Sequence, residues 1–323
     1  MSAPIDKPAS VSAAAVSPRV ALLAAADSAP AVTREGRAHR LIIGTLAVIA
    51  LIDAIWLQTS NLRLDLHFLE IVLPAGAGLL LLCAFYAFVR PAPRIAHTLL
   101  ATSELLFFTY ICAIFSYLLM GIGWPWRDEM LAGWDRFLGF DWVAYVKFTE
   151  QHRWLYLTVG ALYNSTILQL GCLLLILGFS GRTRELPNFL GLIIFGGVIT
   201  VIVGAMVPAN SAYRHFGLPD HGLITYAVDT LGAHDRTILL LDPRQFQGIV
   251  NFPSYHTLLS VAMIMASWPL RYLRYPFLLA NLLLLVGVPV FGGHYLADML
   301  GGATTAAVAF FLWRHLMRRA EIS

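Results

Sequence analysis

This chain is short of charge. Of its 323 residues only 13% are Asp, Glu, Lys or Arg, 58% are hydrophobic, and the mean hydropathy is +0.70. Soluble globular chains carry about 25% charged residues, so the deficit excludes an ordinary water-soluble enzyme. Cysteine is scarce too. Cys83, Cys112 and Cys172 show no CxxC spacing, which excludes a disulfide framework and a thiolate metal site, and each falls in an apolar run as a small packing residue. A net charge of +3 gives no reason to invoke nucleic acid. No internal repeat is clear. The run Val20–Ala26 is too brief to span a membrane and lacks the cationic flank and cleavage site of a signal peptide. Residues 1–38, rich in Ala, Ser, Pro and Val without a sustained period, read as a disordered tail.

Long apolar runs account for the composition. Eight are near spanning length, at about 41–59, 68–89, 97–120, 154–179, 187–207, 254–270, 275–292 and 296–313, the sixth and seventh being short for a hydrocarbon core of ~30 Å. The expected fold class is all-α, a polytopic membrane helix bundle of about eight spans. The connections differ in basic content. One side holds Lys7, Arg19, Arg34, Arg37, Arg40, Arg90, Arg94, Arg182, Arg184, Arg271, Arg274, Arg314, Arg318 and Arg319, which is 14 of the 22 basic residues. The other side holds the remaining 8 on much longer loops. By the positive-inside rule both termini are cytoplasmic, in a bacterial inner or plasma membrane.

Chemistry concentrates in two short stretches on the opposite face. In Gly292-Gly293-His294-Tyr295-Leu296-Ala297-Asp298, His and Asp stand four apart and share one helical face. The carboxylate can then accept one imidazole N–H and leave the other nitrogen as base or nucleophile. A second histidine lies 38 residues upstream in Phe252-Pro253-Ser254-Tyr255-His256-Thr257. The two apolar segments between the motifs form a hairpin that returns the chain to the face it left, so His256 and His294 are expected to meet. Two histidines, one oriented by a carboxylate, point to phosphoryl transfer through a phosphohistidine.

Together the motifs resemble the type 2 phosphatidic acid phosphatase superfamily, with its Pro-Ser-Gly-His and Ser-Arg-x5-His-x3-Asp. They are more closely similar to the inositol-phosphorylceramide synthase (aureobasidin-resistance) branch, through the bulky Tyr255, the His294-Tyr295 pair and Gly301-Gly302. Trp134-Asp135-Arg136-Phe137-Leu138-Gly139 is similar to the segment that opens that domain. The resemblance covers roughly 130–313 and implies a phosphatase-like core. It divides the chain into the tail 1–38, additional membrane helices 39–125 and a phosphatase or phosphotransferase domain 126–315. It also implies that His294 attacks phosphorus, Asp298 orients it, and His256 protonates the leaving oxygen and then activates the acceptor, with no metal or other cofactor. The expected partners are a phospholipid or other lipid-phosphate substrate and the bilayer.

The departures are specific. Val288 and Gly287 stand where the family has Arg and Ser, and the Lys-x6-Arg-Pro element is absent. A phosphate still needs cations, and the candidates are Arg236 and Arg244, then Arg214, all in the polar loop 208–250; they read equally well as solvated charges. Pro253 suits a first helical turn, with the amides near Ser254 and Tyr255 facing phosphate, although Ser254 also reads as a plain N-cap. The tryptophans of 124–142 read as interfacial anchors, and Asp53, Glu70 and Glu104 as interhelical hydrogen-bonding groups. Hydrolysis and transfer to an alcohol such as a ceramide both remain open. The competing class is a non-catalytic or transporting lipid- or polyprenyl-phosphate binder, against which the position of the titratable cluster at one face, rather than midplane, counts.

Overall fold

The computed structural model describes residues 34–182, 185–220, 222–223, 226–238, 240–242 and 248–319. Most of the expected tail and Arg244 lie outside them.

The eight apolar runs are all helical. They are α1 (Arg34–Thr59), α2 (Leu69–Ala84, prolonged by a π turn Phe85–Val89), α3 (Pro93–Met120), the pair α6 (Arg153–Asn164) and α7 (Thr166–Phe179), α8 (Glu185–Met206), α11 (Tyr255–Ser267), α12 (Arg274–Phe291) and α13 (Leu296–Arg319). Amphipathic α4 (Asp128–Phe137) and α5 (Trp142–Gln151) follow α3, and the loop after α8 contains α9 (Ala212–Phe216) and α10 (Tyr226–His234). Among the described residues six helices are long and apolar enough to cross a bilayer, and the α6–α7 pair makes a seventh if counted as one span. This is an integral membrane protein with an all-α core.

Two of the eight expected spans are not simple ones. The α6–α7 pair bends by 50°. At the bend Asn164 donates to the Gly160 carbonyl at 2.9 Å, Ser165 to Leu162 at 2.8 Å and Thr166 to Tyr163 at 2.6 Å. Three consecutive polar side chains thus compete for helical acceptors, which is a recognised cause of bending. The second exception is α11, whose 13 residues rise about 20 Å, short of a ~30 Å core. The Ser254 cap starts it, and Pro269 disfavours continuation beyond Trp268.

The helices preceding the motif-bearing region are not an independent unit. Ile42 and Leu46 of α1 and Ala101 and Phe108 of α3 share one hydrophobic core with Leu190 of α8, Met263 of α11 and Trp313 of α13. Close approach depends on small residues: a Cβ on Gly191 would lie 2.4 Å from the Trp313 ring. Glu104 accepts from His39 of α1 at 2.8 Å in the buried α1–α3 seam, the interhelical bond expected of it. Asp53 is buried with neither carboxylate oxygen hydrogen-bonded among the described residues, and Glu70 is exposed. A two-residue parallel pairing of β1 (Arg63–Leu64) with β2 (Leu240–Leu241) fastens the α1–α2 connection to the loop after α10.

Candidate active site

The ends of several helices meet at one end of the bundle. Arg127 N–H bonds the Pro208 carbonyl beyond α8, Ala212 N–H bonds Gly293 and Ser254 N–H bonds Asp298. The two histidine motifs are therefore brought together by backbone. The imidazoles of His256 and His294 lie with ring centroids 6.4 Å apart, inclined by 62°.

His294 occupies the turn between α12 and α13. Gly293 before it has φ +59°, the left-handed region that suits glycine. A Cβ on Gly292 would lie 2.6 Å from the His294 ring and 2.8 Å from the Val288 carbonyl, so this position must be bare. His294 Nδ1 lies 3.2 Å from Asp298 Oδ2, which also accepts the Tyr295 N–H at 2.8 Å. Burial pushes the His294 imidazole down to about 4, so at neutral pH it is the free base that a nucleophile requires.

His256 sits in the first turn of α11. Tyr163, from the last turn of α6, lies face to face with it, centroids 4.4 Å apart and planes 24° from parallel. The phenol oxygen is 3.4 Å from His256 Nδ1. With the rings nearly parallel the hydroxyl stands over the nitrogen rather than in line with its lone pair, so Tyr163 positions the imidazole chiefly by stacking.

The His294 turn is fixed by side chains from well upstream. Trp142 Nε1 donates to the His294 carbonyl at 2.9 Å, and Tyr226 donates its hydroxyl to Gly292 at 2.6 Å. Asn251 Oδ1 lies 2.9 Å from the same hydroxyl as a second acceptor; a phenol has one proton, so the two acceptors share it. Asp135 accepts the Leu296 and Ala297 N–H groups at 2.9 and 2.8 Å, capping α13 from another helix. Asp128 accepts the Tyr295 hydroxyl at 3.1 Å and the Asn210 N–H at 3.2 Å. Burial raises both carboxyls above the usual range, and the bonds they accept partly offset it.

These supporting residues escaped the sequence reading. A signal was available: Asp128, Leu131, Ala132 and Asp135 follow i, i+3, i+4, i+7 spacing, so two acids sit in what would be the apolar stripe of α4. Trp142 corrects the expectation of an interfacial anchor. It is 1% exposed and packed against Tyr213 and Phe216, whereas Trp124 and Trp134 are about half exposed.

The expected phosphate ligands are dispersed. Ser254 is the N-cap of α11, its hydroxyl accepting Thr257 N–H at 3.4 Å, so Pro253 stands one residue before the cap and outside the first turn where it was expected. The Tyr255 side chain packs against the hydrophobic core of the bundle, its hydroxyl donating to the Ile193 carbonyl at 3.2 Å. Arg236 follows the end of α10 remote from Tyr226, and its Nε donates to Gly121 at 2.7 Å. Arg214 is exposed on α9, whose Ala212 N–H is bonded to Gly293, so it alone of the described arginine candidates is on a segment tied directly to the His294 turn.

The family model described as PAP2 superfamily matches residues 129–312. This chain belongs to the PAP2 superfamily. Neither the curated proteins nor the solved structures give a match. The matched region of this PAP2 protein contains His256, His294 and Asp298 and begins within α4, leaving α1–α3 outside it. Superfamily members are phosphoesterases, so membership places the chain with phosphatase-type enzymes acting on lipid phosphoesters.

Proposed function

We propose that this PAP2 protein transfers a phosphoryl-linked group of a lipid through a covalent phosphohistidine. The carrying observation is His294, paired with Asp298 at 3.2 Å and facing His256 at a centroid distance of 6.4 Å. The free nitrogen of His294 attacks phosphorus, the bond to the leaving oxygen breaks, and His256 gives that oxygen its proton. His256 then removes a proton from the acceptor hydroxyl, whose oxygen attacks phosphorus and breaks the N–P bond, restoring His294. Asp298 stabilises the positive charge that His294 acquires. An anionic substrate raises the basicity of both rings on arrival, so that His256 takes up from water the proton it then delivers to the leaving oxygen. Arg214 is the described cation best placed for the phosphoryl oxygens.

The bulky Tyr255 and the His294-Tyr295 pair support the inositol-phosphorylceramide-synthase-like branch, with an alcohol as acceptor. The basic bias of the opposite loops supports a site on the non-cytoplasmic face with both termini inside. Nucleophile and acid are both side chains, so turnover is expected to withstand EDTA and to be inhibited by vanadate; loss in EDTA with rescue by a divalent ion would instead mean metal-assisted hydrolysis. The deciding experiment incubates purified protein with lipid phosphates, and with phosphatidylinositol plus ceramide or diacylglycerol. It follows inorganic phosphate, the transferred product and, after alkaline quenching, a phosphorylated His294 peptide. Turnover with no phosphopeptide in wild type or in a His256→Ala variant supplied with a reactive aryl phosphate would refute the covalent route.

A further inference from the structure

Beside the histidine site, between α8 and α13, lies an apolar cavity of about 550 Å³. It is within the size range of small-molecule sites, yet no charged side chain lines it. Ile199 and Val203 of α8 form one wall, and Ala297, Gly301, Thr305 and Val308 of α13 the other. The threonines contribute methyl groups, because Thr304 and Thr305 turn their hydroxyls back onto Leu300 and Gly301 carbonyls at 2.8 and 2.9 Å. Trp134, Phe137 and Leu138 of α4 lie across the end nearest the catalytic turn. Leu300 and Val308 are half exposed on the bundle's outer surface, so the cavity opens sideways, towards the bilayer.

The inner wall belongs to the catalytic segments themselves. Phe252 and Pro253 lead into His256, and Ala297 adjoins Asp298. Gly301 and Gly302 let α13 press on this lead-in: a Cβ on Gly301 would lie 2.8 Å from the Phe252 ring, and one on Gly302 2.2 Å from the Ser254 carbonyl. From Ala297 to Val308 the slot descends about 16 Å along the helix. One leaflet's share of a ~30 Å hydrocarbon core is about 15 Å. A slot of that depth, with its upper end at Phe252, Pro253 and Ala297 beside the histidine motifs and its side open to lipid, is matched to a chain standing in a single leaflet.

We propose that this slot holds one hydrocarbon chain of the substrate, which is therefore a membrane-resident lipid phosphoester whose chain passes over Phe252 while its phosphorus lies between His256 and His294. The proposal rests on the phosphohistidine reading for what happens at the head group; the position of the chain is tested independently of turnover. Phosphatidic acid bearing a mid-chain diazirine, in phosphatidylcholine vesicles with the reconstituted full chain, should on irradiation label peptides containing 199–203 and 297–308. Excess unlabelled phosphatidic acid should compete for that labelling and excess phosphatidylcholine should not, and the catalytically dead His294→Ala protein should be labelled equally. Labelling elsewhere, or labelling that phosphatidylcholine displaces as well, would overturn the slot and leave the histidine chemistry standing. Labelling as expected without turnover on any lipid phosphate would sink the chemistry and keep the slot.

Two fillers give a functional reading. Thr304→Trp and Val308→Trp occupy its middle and lower end from exposed positions. Each should lower kcat/KM on a long-chain phosphatidic acid tenfold or more relative to a short-chain one, and Thr304→Trp should shift the optimum to shorter chains than Val308→Trp does. An unchanged ratio in both folded variants would exclude the slot as a determinant of chain length.

Discussion

His294 can act only while its ring is unprotonated, held still and relieved of the charge it acquires on attack. His294→Ala is expected to abolish turnover in a protein that still inserts; activity within a few-fold of wild type would refute its assignment as nucleophile. Asp298→Asn keeps a contact to the ring but loses the stabilised imidazolium, and by analogy with acid–histidine pairs in triads should cost roughly 10²–10⁴ in kcat. The acid limb of the pH profile has a defined sign. An unfolded histidine takes up its proton near 6.5, while folded His294 resists until about 4. As pH falls through that window the unfolded chain binds more protons, so stability declines, and towards its lower end the nucleophile is protonated as well. Parallel titrations of activity and helicity should both fall on the acid side, and an acid limb unchanged in a His294→Gln background by helicity would remove His294 as the cause of the stability loss. Tyr163→Phe should retain most activity and Tyr163→Ala lose roughly tenfold, since an aromatic stack contributes about 0.5–1.5 kcal/mol; an equal loss in both would mean that the hydroxyl, not the stacking, is what matters. The histidine motifs were conspicuous in the sequence because a His-x3-Asp spacing is local and places its own partners on one helix face. Tyr163, 93 residues from His256, carries no such mark.

Among the elements, α4 and α5 change most between sequence and structure. The tryptophans of 124–142 read as interfacial anchors, and Trp134 with exposed Phe137 keeps part of that character. The face turned inward does something else: Asp135 caps α13 and Trp142 holds the His294 carbonyl. Asp135→Ala removes a helix cap, a loss of about 0.5–2 kcal/mol in stability, and by loosening the turn it should reduce kcat more than it raises KM. A thermal shift with unaltered kcat would confine Asp135 to stability. The locations of all eight apolar helices were legible because spanning segments are written as continuous hydrophobic runs. The bend between α6 and α7 was not, since it depends on whether Asn164, Ser165 and Thr166 turn inward to their own backbone or outward to neighbours, and sequence is silent on that choice. Arg236 failed to reach the histidines for a comparable reason: it is close to His256 along the chain, but it follows the end of α10 remote from Tyr226, where its guanidinium is bonded to the Gly121 carbonyl.

For the whole molecule, sidedness is the quantity that decides which lipids and acceptors the site can meet. In a background lacking Cys83, Cys112 and Cys172, cysteine at exposed position 150 should react with an impermeant reagent from outside, and cysteine at exposed position 90 only after permeabilisation. The reverse pattern would place the site on the cytoplasmic face and withdraw the outer-leaflet substrate. The tethering of the His294 turn has a different bearing, on what heat does to this enzyme. Its carbonyls and amides are held by Trp142, Ala212, Tyr226 and Asp135, from four separate elements. In many enzymes the catalytic loop is the first part to give way on warming. Here the turn has no private hinge, so its melting and that of the surrounding bundle are one event. Residual activity after a heat step should track residual helicity point for point, and mild warming should give no folded but inactive population.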